Sequence, residues 1–167
     1  AEPGLVFHVS FETDALPRYA NGIADPPYNR NCEIGPGKVG NAGSVVRGKT
    51  QLIYDGPGNV FTTAGTISVF WRLDEDPAKA SGTVLDVSPF ERLNYNRFIA
   101  VNYGGGKLSV YFTAGNRGAI GLGSRPVEVK QGEWHHLAMC WDQVRGMALY
   151  VDGRKLDGRD MPWVYEG

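Results

Sequence analysis

The stretch Gly132-Glu-Trp-His-His-Leu-Ala-Met-Cys-Trp-Asp142, followed at once by Gly146-Met-Ala-Leu-Tyr-Val-Asp-Gly-Arg154, constrains the fold more than any other part of the chain. Both runs are rich in β-formers. The second alternates at Met147, Leu149 and Val151 and closes on the tight-turn dipeptide Asp152-Gly153. Together they describe consecutive antiparallel strands of a half-buried sheet.

The rest of the chain agrees. Leu5, Phe7, Val9 and Phe11 alternate with Val6, His8, Ser10 and Glu12, predicting a first strand with one apolar face. From Asp14 to Gly43 the breakers Pro17, Pro26, Pro27 and Pro36 predict a long surface excursion. Further strands are expected at Ser44 to Arg47, Gln51 to Tyr54, Thr66 to Arg72, Gly82 to Val87, Arg97 to Tyr103 and Lys107 to Thr113. Gly104-Gly105-Gly106 joins the last two, since glycine tolerates the positive φ of a tight hairpin. No segment holds helical periodicity for more than about two turns, so the chain reads as all-β.

At 167 residues one domain is expected, because all-β sandwiches reach this size without splitting. Basic and acidic residues nearly cancel, 17 against 18, and no local run of Lys or Arg offers the surface that tracks phosphates. Nucleic acid is therefore not an expected partner. Nothing approaches the ~18 to 20 consecutive apolar residues of a membrane-spanning helix, so direct membrane insertion is not expected either. Ala1-Glu2-Pro3-Gly4 reads as the start of a mature protein behind a small-residue cleavage site, which predicts export: secreted, periplasmic or cell-surface. Cys32 and Cys140 stand far apart; a disulfide and two separate thiols both stay open, and no zinc-type Cys/His spacing exists.

Several of these segments resemble one family. The pattern Gly132-Glu-Trp-His-His followed by Leu149-Tyr-Val-Asp-Gly153 is similar to the late hairpin of laminin-G-like, concanavalin A-like jelly rolls. Gly37-Lys-Val-Gly-Asn-Ala42 is similar to the turn before their second strand, and Thr66-Ile-Ser-Val-Phe-Trp-Arg72 to a later strand in which a lone Trp is commoner, leaving the register of Phe70 and Trp71 open. The resemblance covers roughly Leu5 to Lys155. It implies an all-β, two-sheet antiparallel jelly-roll sandwich, a single domain over 1–167. Past Lys155 the family's C-terminal strands are missing or shortened. Either the chain is a fragment, or Trp163-Val164-Tyr165 makes a short substitute, or another polypeptide supplies a strand.

Catalysis fails its motif test. Glycoside hydrolases of this fold space three acids along one strand so that all enter the cleft, and the nearest string, Glu12-Thr13-Asp14, lacks the third. Asp74-Glu75-Asp76-Pro77 reads as a solvated turn. His135 and His136 are strand neighbours that project to opposite faces, so they cannot share one metal ion; one is expected buried and the other exposed, as framework. The resemblance implies a structural Ca²⁺, for which Glu12 and Asp14 are the candidate ligands.

The expected function is that of a non-catalytic binding module for carbohydrate. Sugar C–H faces lie on aromatic rings while their hydroxyls meet polar side chains, which selects Tyr95, Arg97, Tyr103 and Trp163 as candidate ligand-binding residues. Trp71, Trp134 and Trp141 are assigned to the core. The alternative is a structural or adhesion subunit of an extracellular assembly, completed by strand pairing with another chain. The expected partner is thus a glycan or an extracellular protein.

Overall fold

The computed structural model describes residues 3–88, 98–113 and 119–163, all of them in strands, turns or loops. They form two compact units, Ala1–Phe61 and Thr62–Gly167.

The first unit consists of three short antiparallel ladders. Phe7–His8 (β1) pairs with Tyr19–Ala20 (β2), Tyr28–Arg30 (β3) with Gln51–Ile53 (β6), and Glu33–Pro36 (β4) with Asn41–Ser44 (β5). The alternation from Leu5 to Phe11 thus yields a much shorter strand than it predicts. Phe11 adopts φ 60°, a left-handed conformation that an extended strand cannot contain. Conversely, the proline-rich excursion carries strands, because its ladders are only two to four residues long: Pro17, Pro26 and Pro27 fall outside them and Pro36 is the last residue of β4. The turn at Gly37 to Ala42 closes β4 onto β5: Gly40 takes φ 60°, and its carbonyl accepts from Gly37 N at 2.8 Å. Asn59, almost fully buried, ties this unit by accepting from Gly22 N and donating to the carbonyls of Ile23 and Asp55. Burial pushes the Cys32 and Tyr54 protons toward higher pH, and the Tyr54 hydroxyl donates to Ala15 O at 2.8 Å.

The second unit is a sandwich of two four-stranded antiparallel sheets. One sheet joins Ala64–Arg72 (β7), Trp134–Asp142 (β12), Gly146–Val151 (β13) and Arg154–Arg159 (β14) in the order β14-β13-β12-β7. The other joins Ser81–Val87 (β8), Ile99–Gly104 (β9), Lys107–Thr113 (β10) and Ala119–Pro126 (β11) in the order β11-β10-β9-β8. The expected hairpin of β12 and β13 is present with Leu137 opposite Val151 and Asp142 opposite Gly146. Two strands go beyond the sequence reading. β14 forms because Asp152 and Gly153, at φ 50° and 76°, make a two-residue turn that sends the chain straight back along β13. β11 is glycine-rich and only weakly patterned, and it pairs with β10 across a register shift. Gly105 and Gly106, at φ 54° and 75°, turn β9 into β10 as expected.

Alternation sets the core. On β12, His135, Leu137, Met139 and Trp141 face inward with exposures of 0 to 7%. The opposite sheet buries Ile99, Val101, Leu108, Val110 and Phe112, and each fully buried apolar side chain of this kind stabilises the fold by ~1.5–3 kcal/mol. Rings bridge the layers: Trp71 to Tyr103 at 5.5 Å, Phe98 to Trp141 at 5.6 Å and Phe112 to Trp163 at 5.3 Å between centroids. At one edge Arg125 of β11 pairs with Asp157 of β14 at 2.9 Å.

Candidate functional site

The odd positions of β12 point into the core, so the even ones form the outer face of the sheet. Trp134, His136, Ala138 and Cys140 stand there, half-exposed. The neighbouring strands continue the same face with Thr66, Ser68, Phe70 and Arg72 on β7 and with Ala148 and Tyr150 on β13. Register places Arg72 opposite Trp134 and Phe70 opposite His136, while Ser68, Ala138 and Tyr150 make one row across three strands.

These side chains touch one another. The Arg72 guanidinium carbon lies 5.0 Å from the Trp134 ring centroid. The Phe70 and His136 centroids are 5.0 Å apart, tilted by 52°, and Ser68 Oγ shares a 2.7 Å hydrogen bond with His136 Nε2. Phe70 is 51% exposed, unusual for so large an apolar ring. Ala138, Cys140 and Ala148 give the centre a floor of small side chains, flanked by Tyr150 on one side and Phe70 on the other. Arg72 donates through Nε and Nη2 to Asp74, and those hydrogen bonds hold its proton still more firmly than usual. Its Nη1 edge is left to meet a hydroxyl or carboxylate.

Behind this face the β12 entry is fixed by Asp152. Its Oδ2 accepts from His135 Nδ1 and its Oδ1 from His136 N, each at 2.8 Å. Burial raises the Asp152 carboxyl, but these two donors and the imidazole charges outweigh it and hold the group below the usual carboxylate range. The histidine pair is therefore split, His135 inward at 7% exposure and His136 outward. His135 also lines a cleft of about 600 Å³ whose other polar walls include Lys130, Arg154, Glu128, Glu133 and Asp152. That cleft mixes opposite charges and carries no aromatic ring besides the imidazole, so the outer face is the better ligand platform.

The residues selected from sequence fare differently. Tyr95 and Arg97 lie outside the described residues. Tyr103 faces the core at 4% exposure, its hydroxyl donating to Pro77 O at 2.9 Å. Trp163 is 3% exposed, packed on Phe98 and Phe112. Both rings are inside the sandwich and present no face to a ligand, because β9 alternation turns Tyr103 inward and the chain beyond β14 folds Trp163 under the sheet. Trp134 corrects the opposite expectation: assigned to the core, it lies on the outer face. Trp71 and Trp141 are core, at 8% and 4%.

Glu12 and Asp14, the expected calcium ligands, both lie in the first unit. Calcium takes six to eight oxygens. Asp14 Oδ1 accepts from Leu16 N and pairs with Arg18 at 3.1 Å, while Oδ2 accepts from Thr13, and these contacts lower its carboxyl below the ordinary range. Glu12 is exposed beside Gly40. Among the described residues no group of three or more His, Cys, Asp or Glu side chains converges on a point. Cys32 and Cys140 are separate thiols.

Sequence reasoning missed the platform, although one signal was available. Trp134 and Trp141 are seven positions apart, and an odd spacing puts them on opposite faces of any regular strand.

Comparison with known proteins bears on this geometry. The model of the concanavalin A-like lectin/glucanases superfamily matches residues 47–165. No curated protein sequence matches the chain. Among solved structures it is similar to the Ruminococcus gnavus IT-sialidase CBM40 bound to alpha2,3 sialyllactose, at 16% identity and TM-score 0.51, covering 63% of this chain and 56% of that one. It is also similar to the binding domain of botulinum neurotoxin DC in complex with rat synaptotagmin II, at 10% identity and TM-score 0.68, covering 94% and 39%. A third, the carbohydrate esterase vb_24B_21 from Shiga toxin-encoding bacteriophage phi24B, shares 13% identity at TM-score 0.51, covering 98% and 84%. The chain thus spans just over half of the first of these and about two fifths of the second. At such identities the likeness is one of fold.

Proposed function

Because the chain belongs to the concanavalin A-like lectin/glucanases superfamily, we propose that it is an exported, non-catalytic module that binds carbohydrate on the outer face of the sheet β14-β13-β12-β7. The carrying observation is the cluster of Phe70, Trp134, His136 and Tyr150 with Arg72 and Ser68 on one surface. Rings at this spacing receive the C–H face of a pyranose, and the guanidinium, imidazole and hydroxyl groups take its hydroxyls. The six side chains include no carboxylate, whereas sugar hydrolysis on two acids needs a pair. The similarity to a CBM40 bound to a sialylated sugar supports the same reading.

A glycan array followed by affinity electrophoresis tests it. The chain is expected to be retained by at least one polysaccharide, and Phe70→Ala and Trp134→Ala are expected to lose that retention while unfolding at nearly the same temperature. Tyr95→Ala and Arg97→Ala belong in the same series. Retention that survives both platform substitutions, or no retention on any glycan, removes the proposal.

A further inference from the structure

The aromatic face continues past β13 onto β14. Register sets Lys155 opposite Tyr150 and Gly158 opposite Ala148, so both stand on the outer side of the sheet. They share that side although they are three positions apart, because β14 carries one extra residue where its register shifts. Gly158 shows where the lysine goes. A Cβ at Gly158 would lie 2.6 Å from Cε and 2.9 Å from Nζ of Lys155, so the lysine stem crosses the bare glycine and its ammonium ends there. That position borders Ala148, at the rim of the floor of small side chains.

Charge on this face is unevenly compensated. At the opposite edge, Arg72 is taken up by Asp74 through Nε at 2.6 Å and Nη2 at 3.1 Å. Asp142, at the end of β12, accepts from the amides of Val144 and Arg145 and has the Arg145 guanidinium 4.0 Å away. Both oxygens of Asp152 are held by His135 and by the amide of His136. Among the described residues of the second unit, Lys155 is the charged side chain of this face that has neither a hydrogen bond nor an ion pair.

We infer that Lys155 sets the ligand class: the face takes an acidic glycan, with a carboxylate or sulfate ester against the Lys155 ammonium and a sugar ring of the same chain on Tyr150. This rests on the glycan-binding reading and deepens it. An ammonium is a compact point charge with three donors, so it serves either anion, whereas the planar fork of Arg72 is already committed to Asp74. Arg72 and Lys155 stand on the two outer strands of a four-stranded sheet, at least about 14 Å apart at ~4.8 Å per strand. The anion therefore meets one cation, and a ligand that uses both ends of the face must be longer than one sugar.

A glycan array with neutral, uronic-acid and sulfated members, read with the whole chain at low and high salt, tests the inference. The strongest retention should fall on an acidic member and weaken as salt rises from about 0.05 to 0.5 M. Lys155→Gln should lower that retention about two- to fivefold and remove most of its salt dependence at an unchanged melting temperature, whereas Lys155→Arg should keep both. The uronic-acid and sulfated members tell which anion is bound. The inference is overturned if the strongest retention falls on a neutral glycan, if acidic retention ignores salt, or if Lys155→Gln leaves it unchanged. Retention of neutral glycans that is lost in Phe70→Ala and Trp134→Ala would keep the glycan face and remove only the acidic class, while no retention on any member would remove both.

Discussion

Arg72 lies with its guanidinium carbon 5.0 Å from the ring centroid of Trp134, held there by two hydrogen bonds to Asp74. The pair supplies two of the six side chains of the proposed binding face, and its arginine is solvent-accessible. Arg72→Ala should therefore weaken glycan retention several-fold while shifting the melting temperature little, since exposed ion pairs contribute little to stability. Titration calorimetry beside a thermal melt separates the two. A large loss of stability with unchanged affinity would make Arg72 structural.

Gly65 is fixed by a close approach. A Cβ at this position would meet Cζ2 of Trp141 at 2.5 Å, because the two residues are register partners on the core side. Gly65→Ala should cost ~1–3 kcal/mol through overpacking, read as a lower urea midpoint at unchanged slope. A neutral substitution would mean that the Trp141 ring yields.

Asp152 links stability to pH. Its folded carboxyl lies below the ordinary 3.8, so its contribution is fully present above that value and is lost as the pH falls through the lower folded value. Asp152→Asn tolerates the positive φ of 50° but loses the charge-assisted bond to His135. Urea midpoints for the two proteins should differ at pH 6 and converge below about pH 4. A gap that stays constant into acid would assign the difference to something other than this carboxylate.

Tyr103 and Trp163 should behave as core residues. Tyr103→Phe removes only the bond to Pro77 and should cost ~1 kcal/mol, whereas Trp163→Ala should cost ~3–5 kcal/mol. Glycan retention by Tyr103→Phe should equal that of the parent. Its loss in a variant as stable as the parent would restore Tyr103 to a ligand role.

Much of the second unit could be read from the chain because its strands carry long, strict alternation. Lys107–Thr113 and the β12 and β13 hairpin are found where the pattern puts them, and β7 is only two residues longer at its start. The first unit resisted the same reasoning, since ladders of two to four residues are shorter than any period can register. The candidate site was illegible for another reason. Composition marked Tyr103 and Trp163 as sugar-stacking residues, but an aromatic ring serves a core and a binding face equally well, and only its side of the sheet separates the two roles.

The sequence by itself determined an all-β chain, the β9–β10 and β12–β13 hairpins and the split of His135 from His136, because these follow from local properties: alternation, glycine at positive φ, and opposite projection of strand neighbours. Only the tertiary structure decided that Phe70, Trp134, His136 and Tyr150 share a surface and that Tyr103 and Trp163 do not. Those facts depend on which strands become neighbours and in what register. Pairing of that kind brings together residues as distant as Arg72 and Trp134, and no single segment records it.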